Sequence, residues 1–142
     1  MIKGKFLVIG QFSLVGLIIY LGDFKMGNML SVALLATGII CGLSAIISMK
    51  LSVNIFPEVR PTQELINSGI YKYIRHPMYT AVILVSASFI VMTTTWLLVG
   101  LLVFLSALLI TKLTYEEKLL LVRFPEYYDY TKKTKKLIPL IY

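Results

Sequence analysis

Five residues able to handle a small charged ligand, Tyr71, Tyr73, Arg75, His76 and Tyr79, fall within nine positions, and His76 is the chain's only histidine. Farther on lies Glu116-Glu117, the only adjacent pair of acids among the 142 residues. A guanidinium suits a carboxylate, a glutamate suits an ammonium or a diol, and tyrosine rings can face a cation. The imidazole or a glutamate could also move a proton. The plainer reading makes Arg75 and His76 interfacial anchors and the tyrosines an aromatic belt. Adjacent acids resist that reading, because they repel one another and would face an anionic leaflet. With one histidine and one cysteine in the chain, no metal site is expected.

The elements that must bring these two groups together are apolar helices. The chain is 58% hydrophobic with mean hydropathy +0.83, well above a soluble domain, and its length suits one domain over 1–142. Phe6 to Gly22 are uncharged, as are Met26 to Met49, each run suited to one span. Lys3 and Lys5 before an apolar run resemble a signal peptide. Tyr20-Leu21-Gly22-Asp23, however, offers no small-x-small cleavage site, so a retained span is expected. From Pro77 to Thr111 the uncharged run would measure roughly 52 Å as one helix, against about 30 Å of hydrocarbon, so it must fold back. Thr93-Thr94-Thr95 with Trp96 marks the turn.

The expectation is therefore an all-α integral membrane protein with four transmembrane helices at about 6–22, 28–49, 77–92 and 95–115. The last two form a helical hairpin over 77–115, and a cytoplasmic C-terminal helix and tail follows. The third span is short and thins the bilayer or tilts little. Of 14 Lys and Arg, only Lys25 falls in a loop on the far side, which places both termini and the 50–76 segment in the cytoplasm. The net charge of +7 thus reads as orientation rather than nucleic-acid binding. Lys112 is expected to snorkel to the interface. Gly38 and Gly42 have the spacing of closely approaching helices. Cys41 reads as a small buried residue. Between Pro57 and Pro61 and the third span, Thr62 is expected to cap a short helix from Gln63 to Ser68 that Gly69 ends. Pro77 suits the first turn of the third span.

Gly-Ile-Tyr from Gly69, Arg-His-Pro-x-Tyr from Arg75, a helical hairpin, Glu116-Glu117, then Phe-x-x-Tyr-x-x-Tyr and a terminal Ile-Pro occur in that order. Over about residues 62 to 139 this resembles the membrane methyltransferases of the isoprenylcysteine carboxyl methyltransferase and phospholipid N-methyltransferase superfamily. The resemblance implies S-adenosylmethionine as methyl donor, bound without a Rossmann fold; no Gly-x-Gly-x-x-Gly follows any strand. It implies cofactor binding by Tyr71, Arg75, His76, Pro77, Tyr79, Glu116, Glu117, Tyr127 and Tyr130, with Arg75, His76 and Glu117 in the catalytic role. Two positions depart from the pattern. Ala81 replaces a frequent glycine and is expected to tighten the cofactor pocket, and Phe124-Pro125 replaces Phe-Gly and alters the turn of the tail.

The expected acceptor is a lipid-like or prenylated molecule entering from the bilayer, with carboxyl O-methylation favoured over phospholipid N-methylation. A carboxylate needs no general base, whereas an amine must first lose a proton. Membrane lipids are the expected surroundings, nucleic acid is not a partner, and no residue pattern sets an oligomeric state. A proton-coupled exporter would need an acid inside a span, and the first three spans and the core of the fourth have none. A non-catalytic membrane subunit would leave Arg75-His76 and Glu116-Glu117 without a purpose.

Overall fold

The computed structural model describes residues 2–23, 28–50, 64–91, 93–139 and 141–142, with side chains from Gly4 onward. Expectations that fall on Lys25, Pro57, Pro61, Thr62, Gln63 and Met92 lie outside the described residues. Among the described residues five α-helices appear: α1 (Ile2–Leu21), α2 (Met29–Ser48), α3 (Pro77–Ile90), α4 (Trp96–Arg123) and α5 (Tyr127–Lys133). A single 3₁₀ turn, Gly69–Lys72, precedes α3. The all-helical expectation therefore holds.

Helices α1, α2 and α4 are each long and apolar enough to cross a membrane. At 1.5 Å per residue, the 28 residues of α4 reach about 42 Å, while the 14 of α3 reach only about 21 Å. The last two turns of α4, which carry Glu116 and Glu117, thus continue past an apolar segment that ends at Tyr115. Only 22–28% of each long apolar window is buried, and Phe6, Ile9, Ile40, Val103 and Phe104 point outward. An apolar surface of that extent is built to meet lipid.

The helix starts follow local chemistry. Asn28 Oδ1 accepts from Ser31 N at 2.8 Å to begin α2, and Thr95 Oγ1 accepts from Leu98 N at 3.2 Å to begin α4. Pro77 opens α3 at its first position, where a missing N–H leaves nothing unpaired. Trp96, 93% exposed, stands at the turn between α3 and α4, where an indole is suited to a headgroup boundary.

In lipid, burial of apolar area gives helices little reason to associate, so close fit must supply it. The buried face of α2 consists of Ser31, Gly38, Cys41 and Ala45, all small, and α3 packs along it. A Cβ on Gly38 would lie 2.9 Å from Val85 Cγ2 and 3.2 Å from Ala81 O, so only glycine allows this approach. The Gly38 and Gly42 spacing therefore serves packing within the chain. On the other side α1 packs against α4, and Ile18, Ile90, Leu98, Leu105 and Leu109 form the core.

Three expectations are corrected. Residues 64–68 are not helical; the 3₁₀ turn at Gly69–Lys72 takes the place of the anticipated helix. Gly69 does supply a left-handed conformation, φ +59°, but as the start of that turn, with its missing side chain leaving room for Ser48. Ala81 does not tighten the cavity described below: it faces Gly38 and Gly42 at the α2–α3 contact. Lys112 does not snorkel. It is 3% exposed and turned inward, because Gln11 of α1 holds its ammonium at 2.7 Å.

Candidate functional site

Between the 3₁₀ turn and α3, residues 74–76 run outside any helix, with His76 at φ −125° and ψ 56°. This leaves their backbone free to pair, and the C-terminal tail takes the opportunity. Arg75 N donates to Lys135 O at 2.8 Å, His76 N to Lys136 O at 3.0 Å, and Lys135 N to Tyr73 O at 3.1 Å. Farther along, Thr80 Oγ1 donates to Leu137 O at 2.7 Å. The side chain of Arg75 completes the join, its Nη1 donating to Thr131 O at 3.2 Å and Thr134 O at 2.5 Å.

The two groups singled out in the sequence meet at this join. Arg75 Nε donates to Glu117 Oε1 at 2.7 Å, and His76 Nε2 lies 3.3 Å from the same oxygen. Lys136 Nζ stands 3.7 Å from the other oxygen, and Tyr127 donates from its hydroxyl at 3.5 Å. The partners of Glu117 come from the α3 entry and the tail. Burial opposes its ionisation, but hydrogen bonds from His76 and Arg75, with their charges, prevail and hold its carboxyl at about 2. Glu117 is thus an anionic tie between α4, the α3 entry and the tail.

Glu116 points elsewhere, as successive helical residues must. Its Oε2 accepts from the Tyr79 hydroxyl at 2.7 Å and lies 3.9 Å from His76 Nδ1. The His76 and Tyr79 rings stack with centroids 5.4 Å apart and planes 2° from parallel. Tyr130 donates to Tyr71 O at 2.6 Å, which binds α5 to the 3₁₀ turn. Burial, opposed by Arg75 and aided by Glu117, pushes the Tyr130 phenol up to about 12; burial and neighbouring carboxylates also raise Tyr71 and Tyr127. All three are therefore neutral hydrogen-bond donors at physiological pH.

A cavity of about 250 Å³ opens beside these groups. Tyr71, Arg75, His76, Tyr79, Glu116, Tyr127 and Tyr130 line it; Glu117 and Pro77 stand behind the wall. Pro77 carries its own anchor, accepting from Cys41 Sγ at 3.3 Å through its carbonyl. Every residue that the resemblance nominated is therefore at this end of the bundle, in two layers, whereas Tyr73 is 67% exposed and does not line the cavity. The sequence reading missed Gln11, which also lines the cavity together with Lys112. The signal was present: Gln11 is an amide inside an otherwise apolar run, and a polar side chain in a span calls for a partner.

The family model for phospholipid methyltransferases matches residues 26–126, from the start of α2 to just past α4. It thus includes Arg75-His76-Pro77, Tyr79 and Glu116-Glu117, and leaves out α1 and α5. No curated protein and no solved structure matches the chain. The match spans well over half the sequence and agrees with the three long apolar helices of a multi-pass membrane protein. This chain belongs to the phospholipid methyltransferase family.

Proposed function

We propose that this chain methylates the polar head of a lipid-like acceptor, using S-adenosylmethionine held in the cavity between the α3 entry and α4. The observation that carries this reading is the convergence of Arg75-His76 and Glu116-Glu117 at 2.7–3.9 Å beside one cavity. Family members use S-adenosylmethionine. When bound, that cofactor supplies an electrophilic methyl on a sulfonium. The donor set fits it: Glu116 is an anion for its ammonium or ribose diol, and Tyr71, Tyr79, Tyr127 and Tyr130 offer rings to adenine and sulfonium. Arg75 is largely spent on Glu117 and the tail carbonyls, so its main part is to hold the wall in place.

In the membrane, α3 also crosses, as the third of four spans, despite its 14 residues, and both termini with the site face the cytoplasm, as the Lys and Arg distribution favours. The chain's own work is to position acceptor and methyl in line and to exclude water, which a site at the lipid edge does well.

Glu116 bears on the acceptor. Its half-buried carboxylate lies on the cavity wall, where a second carboxylate would meet like charge in low dielectric. An amine meets an acceptor for its proton instead. This favours amine N-methylation of a lipid head over the carboxyl O-methylation expected from sequence. The test is a labelled-methyl assay on total membrane lipid and, separately, on a small prenylated thiol acid. Alkali-stable label in the lipid fraction is expected; alkali-volatile label from the thiol acid would favour the ester, and no transfer to either would defeat the enzymatic reading.

A further inference from the structure

Lys112 lies one turn deeper along α4 than Glu116, about 6 Å toward the middle of the bundle, and is almost wholly buried. Its Nζ donates to Gln11 Oε1 at 2.7 Å and sits 5.1 Å from the Tyr79 ring centroid. Both partners are neutral. Among the described residues no carboxylate stands within ion-pair distance of it; Glu116, one turn along the same helix, attracts it from farther off. An ammonium offers three donors, and one is used. Burying such a cation costs several kcal/mol unless a counter-charge completes it, and an amide oxygen with a ring face does not.

Lys112, Gln11 and Tyr79 all line the cavity, so the incomplete cation faces the space a ligand would enter. The other charged groups on that wall are Arg75, Glu116 and the exposed Glu64. Arg75, Glu116 and the tyrosines cluster at the α3 entry and tail. Lys112 is farther in, where Phe12 of α1 and Val82 of α3 make the wall apolar. A group reaching that depth comes with a hydrocarbon tail.

We propose that Lys112, aimed by Gln11, binds an anionic group on the acceptor amphiphile, a phosphodiester or a carboxylate that is not the reacting atom, and so fixes the depth of the acceptor relative to Glu116. The proposal rests on the methyltransferase reading above and assigns a positioning role within it.

The full chain, purified in an uncharged maltoside detergent, is titrated with three fluorescent single-chain amphiphiles bearing a phosphodiester, a carboxylate or an uncharged head. S-adenosylmethionine affinity is measured alongside by calorimetry. The wild type is expected to bind one of the anionic probes about tenfold or more tighter than the uncharged one, and the tighter of the two names the source of the anion. Lys112→Met should abolish the preference and Lys112→Arg should keep most of it, with cofactor affinity within about twofold throughout. Gln11→Glu is the decisive variant, since it strengthens the α1–α4 link while giving Lys112 an internal counter-ion. The preference should vanish with no fall in melting temperature, and this variant carries the test if Lys112→Met does not fold. A preference surviving in Gln11→Glu or Lys112→Met, or a loss of cofactor affinity in its place, would overturn the proposal. Cofactor binding without head-group preference in the wild type sinks the anion site alone. Preference without cofactor binding sinks the methyltransferase reading and leaves the anion site standing.

Discussion

Glu117→Gln tests the tie that joins α4 to the rest of the site. The carboxylate receives Arg75 at 2.7 Å and His76 at 3.3 Å, with Lys136 at 3.7 Å, and its side chain is 13% exposed. Hydrogen bonds to a charged group contribute about 1.5–3 kcal/mol each, and breaking a buried pair costs about 3–5 kcal/mol. The amide keeps one accepting oxygen, and Arg75 keeps its bonds to Thr131 and Thr134. The net loss is therefore about 2–3 kcal/mol, or roughly 30- to 150-fold in any equilibrium that needs the tie intact. Calorimetry should show S-adenosylmethionine affinity reduced by that factor, although Glu117 does not line the cavity. Hydrogen exchange should quicken at the amides of Arg75, His76 and Lys135, which pair the tail with the α3 entry. Wild-type affinity with unchanged exchange would refute the tie.

Glu116→Gln should leave those three amides protected while lowering the rate of methyl transfer, because Glu116 faces the cavity and among the described residues bonds to Tyr79 and His76 rather than to the tail; faster exchange would show its role to be structural. Tyr130→Phe removes the 2.6 Å bond to Tyr71 O and should lower stability by about 1 kcal/mol, read as a shift in melting temperature. Gly38→Val meets Val85 and the Ala81 carbonyl at α2–α3, so it should lower stability by about 1–3 kcal/mol in a detergent unfolding titration. Acid should loosen the tail join: a carboxyl depressed to about 2 gives stability that is complete above its usual value near 4.5 and lost as pH falls toward 2, so exchange at Lys135, corrected for its intrinsic rate, should rise through that window.

The helices were legible because long uncharged runs allow few alternatives, and so was the meeting of Arg75-His76 with Glu116-Glu117. What sequence could not supply was depth and partner. Lys112 near the end of an apolar run looks like an interfacial anchor, and only the facing amide of Gln11 turns it inward. The tail is marked in sequence only by its lysines, yet its backbone pairs with Tyr73, Arg75 and His76, and backbone pairing leaves no mark on residue type. Ala81 looks like a pocket residue by its place in the motif; its one-turn offset from Pro77 turns it to α2. The short helix anticipated before Gly69 failed because capping residues and a terminal glycine also suit an extended lead into a single turn.

The bond between Gln11 and Lys112 joins residues 101 positions apart. When α1 enters the bilayer during synthesis its amide has no mate, and α4 later arrives carrying a cation that lipid will not accept alone. The α1–α4 contact therefore closes a loop of about a hundred residues, and neither side chain finds this partner until both helices are in place.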